Sequence, residues 1–367
     1  MFAYILKRCL LMIPTLLGIM LVSFVIIQFV PGGPVEKMIA ELQGHGTSAT
    51  ARLSGGGGDM GGAMSGGQSS ARQNSNYKGA QGLDPEFIKE LEAMYGFDKP
   101  THVRFLDMIG NYLTFNLGDS YYRDVGVLEL VLEKMPVSIS LGLWSTLLIY
   151  LISIPLGIRK AVHDGSRFDI WTSVTVFVGY AIPSFMFAIL LIILFAGGRY
   201  WDIFPLRGLS SDGWEDMSMI EAALDYAWHI VLPTAAMVVS GFASLTMLTK
   251  NSFLDEIGKQ YVLTARAKGL PENKVLYGHI FRNAMLIVIA GFPALFISVF
   301  FTGSLLIEVI FSLDGLGLLS YESIINRDYP VVLGTLYIFS LMSLVMHLLR
   351  DLVYVWIDPR IDFESRG

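Results

Sequence analysis

Residues that could carry out catalysis are scarce in this sequence. A search of all 367 residues finds no phosphate-binding loop of the form G-x-x-x-x-G-K-[ST], and no H-E-x-x-H, G-x-S-x-G or Cys-x-x-Cys motif. Cys9 is the single cysteine, which excludes an internal disulfide framework and a cysteine metal cluster. The six histidines are scattered along the chain. We therefore expect no enzyme activity, no cofactor and no metal site in this chain.

The stretch with the most unusual chemistry is basic and lies between two long apolar runs. It reads YVLTARAKGLPENKVLYGHIFRNA and covers residues 261–284. Its cations are Arg266, Lys268, Lys274 and Arg282. By default, a basic amphipathic segment of this kind is a solvated helix on a membrane surface.

The same stretch also has the pattern of two short helices separated by a turn. Residues 269–271, Gly-Leu-Pro, end the first helix, and a second begins at helical spacing around Val275. Ala265, Ala267 and Gly269 give the first helix a small-residue face, which leaves room for close approach. A short helix followed by a sharp turn can dock in a groove on another protein. We predict a docking element at this position.

Composition places this element in a membrane protein. Hydrophobic residues make up 53% of the chain and charged residues 16%, and the mean hydropathy is +0.55. A helix of roughly 20 apolar residues crosses the hydrocarbon core of a bilayer. Six such runs are predicted, at residues 9–30, 136–158, 170–197, 228–249, 284–311 and 331–357. The first is too long for the core of a signal peptide and predicts an uncleaved anchor in the lipid bilayer.

The distribution of basic residues predicts both termini on the cytoplasmic side. Short loops rich in Lys and Arg resist translocation and remain in the cytoplasm. Such residues precede the first run (Lys7 and Arg8), connect the second run to the third (Arg159, Lys160 and Arg167), and form the basic stretch between the fourth and fifth. The connection between the third and fourth runs instead has six acidic residues beside Arg199 and Arg207. The basic stretch is therefore predicted to be cytoplasmic.

The long connection at residues 31–135 is predicted to be periplasmic and has two parts. Residues 44–82 are rich in Gly, Ser, Gln and Ala, a composition typical of a flexible insertion. From Leu83 to Lys134, a Leu-Asp-Pro helix start and apolar residues at helical spacing predict short amphipathic helices on the outer membrane surface. Residues 1–30 form the N-terminal cytoplasmic end and the first transmembrane helix.

Charges deep in the predicted spans would indicate a path for protons or ions. The four middle runs are nearly free of them. The exceptions lie towards the ends of the fifth and sixth runs and are Glu308, His347, Arg350 and Asp351. We interpret Arg350 and Asp351 as a structural pair. The chain therefore has the features of a passage that is driven from outside.

Several motifs resemble those of permease subunits of ABC importers of the peptide and nickel type. TARAKGLPENKVLYGHIFRNA is similar to the coupling loop of that family, the EAA loop, in which Thr-Ala-Arg-Ala-Lys-Gly precedes His-x-x-x-Asn-Ala. MFAYILKRCLLMIPTLLGIMLVSFVIIQFVPGGP resembles the family's opening, NRDYPVVLGTLY its outer loop, and DLVYVWIDPRIDF its C-terminal signature. The Pro-Gly-Gly-Pro sequence, the Gly-rich insertion and GAQGLDPEFIKELEAMYGFDKP look more narrowly like permeases for microcin C and peptides.

This resemblance implies an all-α membrane protein of six transmembrane helices, with a type I ABC importer (MetI-like) core and an additional N-terminal helix. The five-helix core covers residues 136–360, includes the coupling loop 251–283, and is followed by a cytoplasmic tail at 361–367. The sequence departs from the family in two places. Leu313-Asp314-Gly315-Leu316-Gly317 stands where Trp-Pro-Gly-Leu-Gly is frequent, and Ile287 stands where a proline is frequent.

The resemblance also implies partners in the bacterial inner membrane and on both sides of it. They are a second homologous permease in a heterodimer, cytoplasmic ATPase subunits that bind ATP and Mg, and a periplasmic substrate-binding protein. No nucleic-acid partner is expected. The resemblance assigns ATPase coupling to Thr264, Ala265, Arg266, Ala267, Lys268, Gly269, Leu270, Pro271, His279 and Asn283.

The resemblance alone implies peptides or peptide-nucleotide conjugates as substrates, with dipeptide or nickel import as the alternative. No residue is assigned to substrate binding. Two other classes are considered. A secondary transporter requires midplane carboxylates or discontinuous helices at repeated positions, and neither is clear in the sequence. An intramembrane enzyme requires a nucleophile with its base, or metal ligands, at membrane depth, and the motif search finds none.

Overall fold

The computed structural model describes residues 2–29, 98–198, 200–298 and 304–357. Its α-helices are α1 Phe2–Phe29, α2 Thr101–Leu113, α3 Val127–Val162, α4 Arg167–Ala181, α5 Ser184–Phe195, α6 Met219–Ile257, α7 Gln260–Ala267, α8 Glu272–Val275, α9 Phe281–Ala290, α10 Phe292–Ser298, α11 Ser304–Phe311, α12 Leu316–Asn326 and α13 Tyr329–Ile357. The expected all-α class is confirmed. The Gly-rich insertion 44–82 and the tail 361–367 lie outside the described residues.

The described residues include the helices needed to cross a membrane. Within these ranges, five segments are long and apolar enough to do so, namely Tyr4–Phe29, Val127–Val162, Met219–Val239, Glu272–Ile297 and Tyr329–Val353. The pair α4 and α5 makes a sixth if it is counted as one broken span. The fourth predicted run lies inside a longer helix, because α6 has 39 residues and continues to Ile257.

The third predicted run, residues 170–197, is not one continuous helix. It forms α4 and α5, whose axes differ by 95°. The break lies at Ile182 and Pro183, where Ile182 has an extended backbone with φ −88° and ψ 118°. Proline disfavours the helical conformation in the residue before it, and its ring removes the amide that would continue the hydrogen bonding. The expectation of one continuous helix is corrected to a helix pair with a sharp bend, which can still count as one broken span.

The chain divides into two compact units. The smaller unit contains the described residues that fall within 15–130 and 320–337. In it, Phe105 on the amphipathic helix α2 packs against Phe24, with 5.3 Å between the ring centroids. Asp328 accepts a hydrogen bond from the buried Ser120 hydroxyl at 2.5 Å. The larger unit contains the described residues that fall within 1–14, 131–319 and 338–367.

Helices α3 and α6 of the larger unit pack closely, and the α3 residues in this contact recur every four positions. The facing pairs are Ser145 with Met237, Ile149 with Gly241, Ser153 with the carbonyl of Phe242, and Gly157 with Thr249. The residue numbers rise together on both helices, so the two helices run parallel. A Cβ added at Gly157 would lie 2.6 Å from the Cβ of Thr249. Small residues let membrane helices approach this closely.

In the larger unit, Glu308 of α11 contacts the start of α12. Its side chain is fully buried and accepts hydrogen bonds from the Ser138 hydroxyl at 2.7 Å and the Leu318 amide at 3.0 Å. Leu318 lies in the first turn of α12, where amides have no partner within the helix. Glu308 therefore serves as a cap for α12. Asp314, which departs from the family pattern, lies two residues before α12 and pairs with Lys134 at 2.5 Å.

Candidate functional site

The basic stretch forms a helical hairpin, which we define as residues 260–283 and call the basic hairpin. Its first helix, α7, ends at Ala267. Gly269 follows with φ +79°, in the left-handed region that glycine adopts without a Cβ penalty. Pro271 then precedes α8, which continues through a π-helical turn at 276–280 into α9. The predicted break at residues 269–271 is confirmed.

An ion pair closes the turn of the basic hairpin. Arg266 donates to both carboxylate oxygens of Glu272, from Nε at 3.0 Å and from Nη2 at 3.1 Å. Bidentate pairs of this kind fix geometry as well as adding energy. The Gly269 amide also donates to the Arg266 carbonyl at 2.9 Å. The turn is therefore held from both its side chains and its backbone.

One face of the basic hairpin is buried in the core of the larger unit. Val262 and Val275 are fully buried and belong to the same core cluster as Phe253 of α6, and Ala265 is only 6% exposed. The expectation of a small-residue docking face that includes Ala265 is wrong for that side chain, which points into the chain's own core. Residues 262 and 265 are three apart and share a helix face. This spacing indicates that Ala265 lies on the same buried face as Val262, which the small size of Ala265 alone did not show.

The other face of the basic hairpin carries most of the predicted site residues. Eight of the ten are exposed, and Leu270 is half-buried. The exposed residues are Thr264, Arg266, Ala267, Lys268, Gly269, Pro271, His279 and Asn283. The structure therefore brings the predicted residues together on one element, which has one face buried in the larger unit and the other face exposed.

Hydrogen bonds attach the basic hairpin to the end of α6. The Tyr261 hydroxyl donates to Glu256 at 2.6 Å, and the Ser252 hydroxyl donates at 2.6 Å to the carbonyl of Ala284, which directly follows the hairpin. Tyr261 in turn bonds the side chain of Asn283. Burial alone would raise the pKa of the Glu256 carboxyl, but the bonds from Lys259 and Tyr261 hold it below its usual value. These hydrogen bonds hold the hairpin against the end of α6.

A buried ionic cluster beside the start of α4 was not foreseen from the sequence. Lys160 was counted there as a loop cation, but its side chain is fully buried and lies 3.0 Å from Asp169. Asp169 also pairs with Lys250 of α6. A partial signal was present, because Ser166 and Asp169 have the Ser-x-x-Asp spacing of a helix start and the Ser166 side chain accepts from the Asp169 amide. Nothing in that spacing shows which lysines are paired.

Comparison with known proteins places the chain in a transport family. Residues 153–363, which include the whole basic hairpin, match the family of binding-protein-dependent transport system inner membrane components. The chain belongs to this family. It is therefore a multi-pass permease subunit of the inner membrane, and its role is transport and not catalysis. The resemblance seen in the sequence motifs is confirmed, and the secondary-transporter and intramembrane-enzyme classes are set aside.

Three relatives match over nearly their full lengths. The chain is 63% identical over 364 residues to the peptidoglycan transport system permease protein YejB of Agrobacterium fabrum, with 99% of both chains covered. It is 57% identical over 364 residues to the inner membrane ABC transporter permease protein YejB of Escherichia coli O157:H7, with 99% of this chain and 100% of the relative covered. It is 34% identical to the oligopeptide transport system permease protein AppB of Bacillus subtilis, with the same coverage.

In this permease the charged residues of the last helix have structural partners. Asp351 accepts a hydrogen bond from Tyr4 at 2.9 Å and pairs with Arg8 at 3.1 Å. Arg350 lies 3.5 Å from the same carboxylate, so the predicted structural pairing is confirmed. Arg8, which sequence reasoning used only for orientation, is the nearer of the two guanidinium partners.

Proposed function

We propose that this chain forms half of the translocation pathway of an ATP-driven importer for peptides or peptide-like compounds. A second, homologous permease forms the other half, and a periplasmic binding protein delivers the substrate. Cytoplasmic ATPase subunits, and not this chain, bind ATP and Mg. Support comes from family membership and from relatives whose names refer to peptidoglycan and oligopeptide transport. The substrate class includes peptide-nucleotide conjugates of the microcin C type.

The basic hairpin is the contact through which the ATPase acts on this permease. The observation that carries this assignment is its two-sided construction, with one face buried in the larger unit and the other exposing Ala267, Lys268 and Gly269. Because the turn is closed by the Arg266–Glu272 pair, the exposed face keeps a fixed shape. A rigid, anchored element can transmit a push, whereas a mobile surface helix cannot.

Orientation and domain roles complete the proposal. Both termini and the basic hairpin lie in the cytoplasm, as the Lys and Arg content of the short loops supports. Residues 31–135 face the periplasm, and residues 136–360 form the permease core with the coupling loop at 251–283. The acidic connection between α5 and α6 faces the periplasm, where the binding protein docks.

Replacing Ala267 with tryptophan tests the coupling role. Ala267 is exposed at the end of α7, so a large side chain there does not disturb the chain's own core. In a tight groove on a partner, the same side chain overpacks the contact by about 1–3 kcal/mol. We expect Ala267→Trp to insert and to pair with the second permease, but to lose most substrate-stimulated ATP hydrolysis and uptake in vesicles that carry the full complex.

Ala223→Trp is the matched control, because Ala223 is an exposed helical alanine near the start of α6. It should insert equally well and keep normal ATP hydrolysis. Normal transport by Ala267→Trp at normal expression would show that the basic hairpin is not the coupling contact.

Uptake by the same vesicles tests the substrate class. Labelled oligopeptides and peptidoglycan-derived peptides should be imported in an ATP-dependent manner, and unlabelled peptides should compete with them. A microcin C type conjugate should compete as well. Saturable import of nickel ions without any competition by peptides would contradict the peptide assignment.

A further inference from the structure

The ionic cluster at the start of α4 joins three helices through one carboxylate. Lys160, near the end of α3, lies 3.0 Å from Asp169 Oδ1. Lys250, on α6, lies 2.7 Å from Asp169 Oδ2. Asp169 itself belongs to the first turn of α4. The three side chains are buried, so the two lysines share one carboxylate away from bulk water.

Further polar groups complete the cluster. The Lys160 ammonium donates to the Asp169 carbonyl at 2.9 Å, to Thr172 at 2.9 Å and to Ser173 at 2.7 Å. The Lys250 ammonium also pairs with Asp164 at 2.8 Å. Two lysines thus face two aspartates, and the formal charge is balanced. Burial works against the charged form of Lys250, but its bonds to Asp164 and Asp169 raise the pKa above its usual value.

The position of Lys250 connects this cluster to the basic hairpin. Two residues further along α6, the Ser252 hydroxyl donates to the carbonyl of Ala284, the residue that directly follows the basic hairpin. One residue before Lys250, Thr249 packs against Gly157 of α3 so closely that no Cβ would fit. The same two turns of α6 therefore hold the hairpin on one side and α3 with α4 on the other.

We propose that Lys250 is a positioning residue which transmits displacement of the basic hairpin to α3 and α4 through Asp169. This inference rests on the proposed coupling role of the hairpin. Because Asp169 holds Lys160 and Lys250 at once, a movement of α6 displaces the start of α4 and the end of α3 together. Without the Lys250 link, the ATPase still docks on the hairpin, but the displacement of the hairpin moves α3 and α4 less.

Lys250→Met in the complete complex tests this inference. The change removes the link to α6 and leaves Asp169 paired with Lys160. Substrate-stimulated ATP hydrolysis should persist, while the ATP consumed per peptide imported rises by about 2- to 30-fold, the range over which single residues change coupling. A purely structural role would lower the amount of complex without changing this ratio.

Lys134→Met is the matched control. Lys134 also pairs with two carboxylates, and its side chain is 12% exposed against 11% for Lys250. It lies near the other end of α3, so its loss should leave the ATP-to-peptide ratio unchanged. A normal ratio in Lys250→Met, or a loss of ATP hydrolysis equal to the loss of uptake, would overturn the inference. The Ala267→Trp result is independent of either outcome and reports on the hairpin alone.

Asp164→Lys gives a second measurement if Lys250→Met is not recovered as a folded complex. The Asp164 side chain is 53% exposed, so the new lysine needs no burial and repels Lys250 from the surface. The ATP-to-peptide ratio should rise at low salt and return towards normal at high salt, because salt screens exposed charges. Asp164→Asn, which leaves the Lys250–Asp169 pair intact, should behave as the unchanged protein. A salt-independent, normal ratio for Asp164→Lys would overturn the inference.

Discussion

Ser138 donates a hydrogen bond to Glu308 although 170 positions separate them in the sequence, and 2.7 Å separates the two oxygens. The same serine accepts from the Leu316 amide at 2.8 Å, and Glu308 accepts from the Leu318 amide. Two side chains therefore satisfy amides in the first turn of α12. A carboxylate at this place stabilises the helix because the first amides and the helix dipole favour negative charge.

Gly315→Ala should destabilise this cap. A Cβ at Gly315 would lie 2.5 Å from Cδ of Glu308 and 2.7 Å from Oγ of Ser138, so the bonded carboxylate would have to move. Overpacking of this kind costs about 1–3 kcal/mol. The expected result is a lower midpoint in thermal unfolding of the purified permease complex.

Asp314→Ala is the control for that measurement. Its side chain is 65% exposed and its pair with Lys134 is at the surface, where ion pairs contribute about 0–1 kcal/mol. Its unfolding midpoint should stay close to that of the unchanged protein. Equal effects of the two substitutions would contradict the assigned role of the glycine.

The close approach of α3 and α6 leads to a second prediction. A Cβ at Gly157 would lie 2.6 Å from Thr249 Cβ and 2.9 Å from the Thr246 carbonyl oxygen. Gly157→Ala should therefore push the two helices apart and lower stability by about 1–3 kcal/mol. Gly179→Ala on α4 meets only Val239 Cγ1 at an ordinary 3.7 Å and should be neutral or stabilising. Detergent-resistant yield and thermal midpoint of both variants would separate the two cases.

These contacts show why the sequence predicted the helices better than their packing. Apolar runs of membrane length and the Gly-Leu-Pro break at 269–271 act locally, and the helices and the hairpin turn follow from them. The bend at Pro183 did not follow, because proline in an apolar run is compatible with a mild kink or with a complete break, and neighbouring helices decide which.

The site was predicted in the same uneven way. The residues of the basic hairpin were found from their order along the chain. The inward direction of the Ala265 side chain, however, depends on how α7 is rotated about its axis where it packs on α6. The burial of Lys160 was missed for a related reason. A lysine at the end of an apolar run is usually a loop cation, and only the approach of Asp169 from another helix makes burial possible.

A third prediction concerns the attachment of the basic hairpin to α6. Tyr261→Phe removes the hydroxyl that donates to Glu256 and bonds Asn283, a loss of about 0.5–1.5 kcal/mol in a typical case. Hydrogen exchange of residues 260–283 should become faster. Tyr277→Phe, at an exposed tyrosine of the same hairpin, should leave the exchange rates unchanged.

The effect of Tyr261→Phe should also depend on pH with a definite sign. Despite burial, which raises the pKa, the bonds from Lys259 and Tyr261 hold the pKa of Glu256 below its usual value. A carboxyl with a lowered folded-state pKa stabilises the fold above its unfolded pKa, about 4.3, and loses that contribution as the pH falls through the folded value. The difference in protection between the variant and the unchanged protein should therefore shrink in acid. A difference that grows in acid would contradict the assignment of Glu256 as the acceptor.

The last prediction separates backbone strain from docking at the hairpin turn. Gly269 has φ +79°, and nothing lies within 4 Å of a Cβ added there, so a side chain meets strain but no clash within the chain. Gly269→Asn should be tolerated, because asparagine adopts the left-handed region readily, whereas Gly269→Val should cost about 1–2 kcal/mol. Gly269→Trp combines similar strain with a bulky side chain on the exposed face. If the turn seats in an ATPase groove, the Val and Trp variants should unfold at similar temperatures, but only Trp should abolish substrate-stimulated ATP hydrolysis in the full complex. Equal ATP hydrolysis by the two variants would mean that a large side chain at residue 269 does not disturb ATPase docking. The contacts with the ATPase groove would then lie elsewhere on the hairpin.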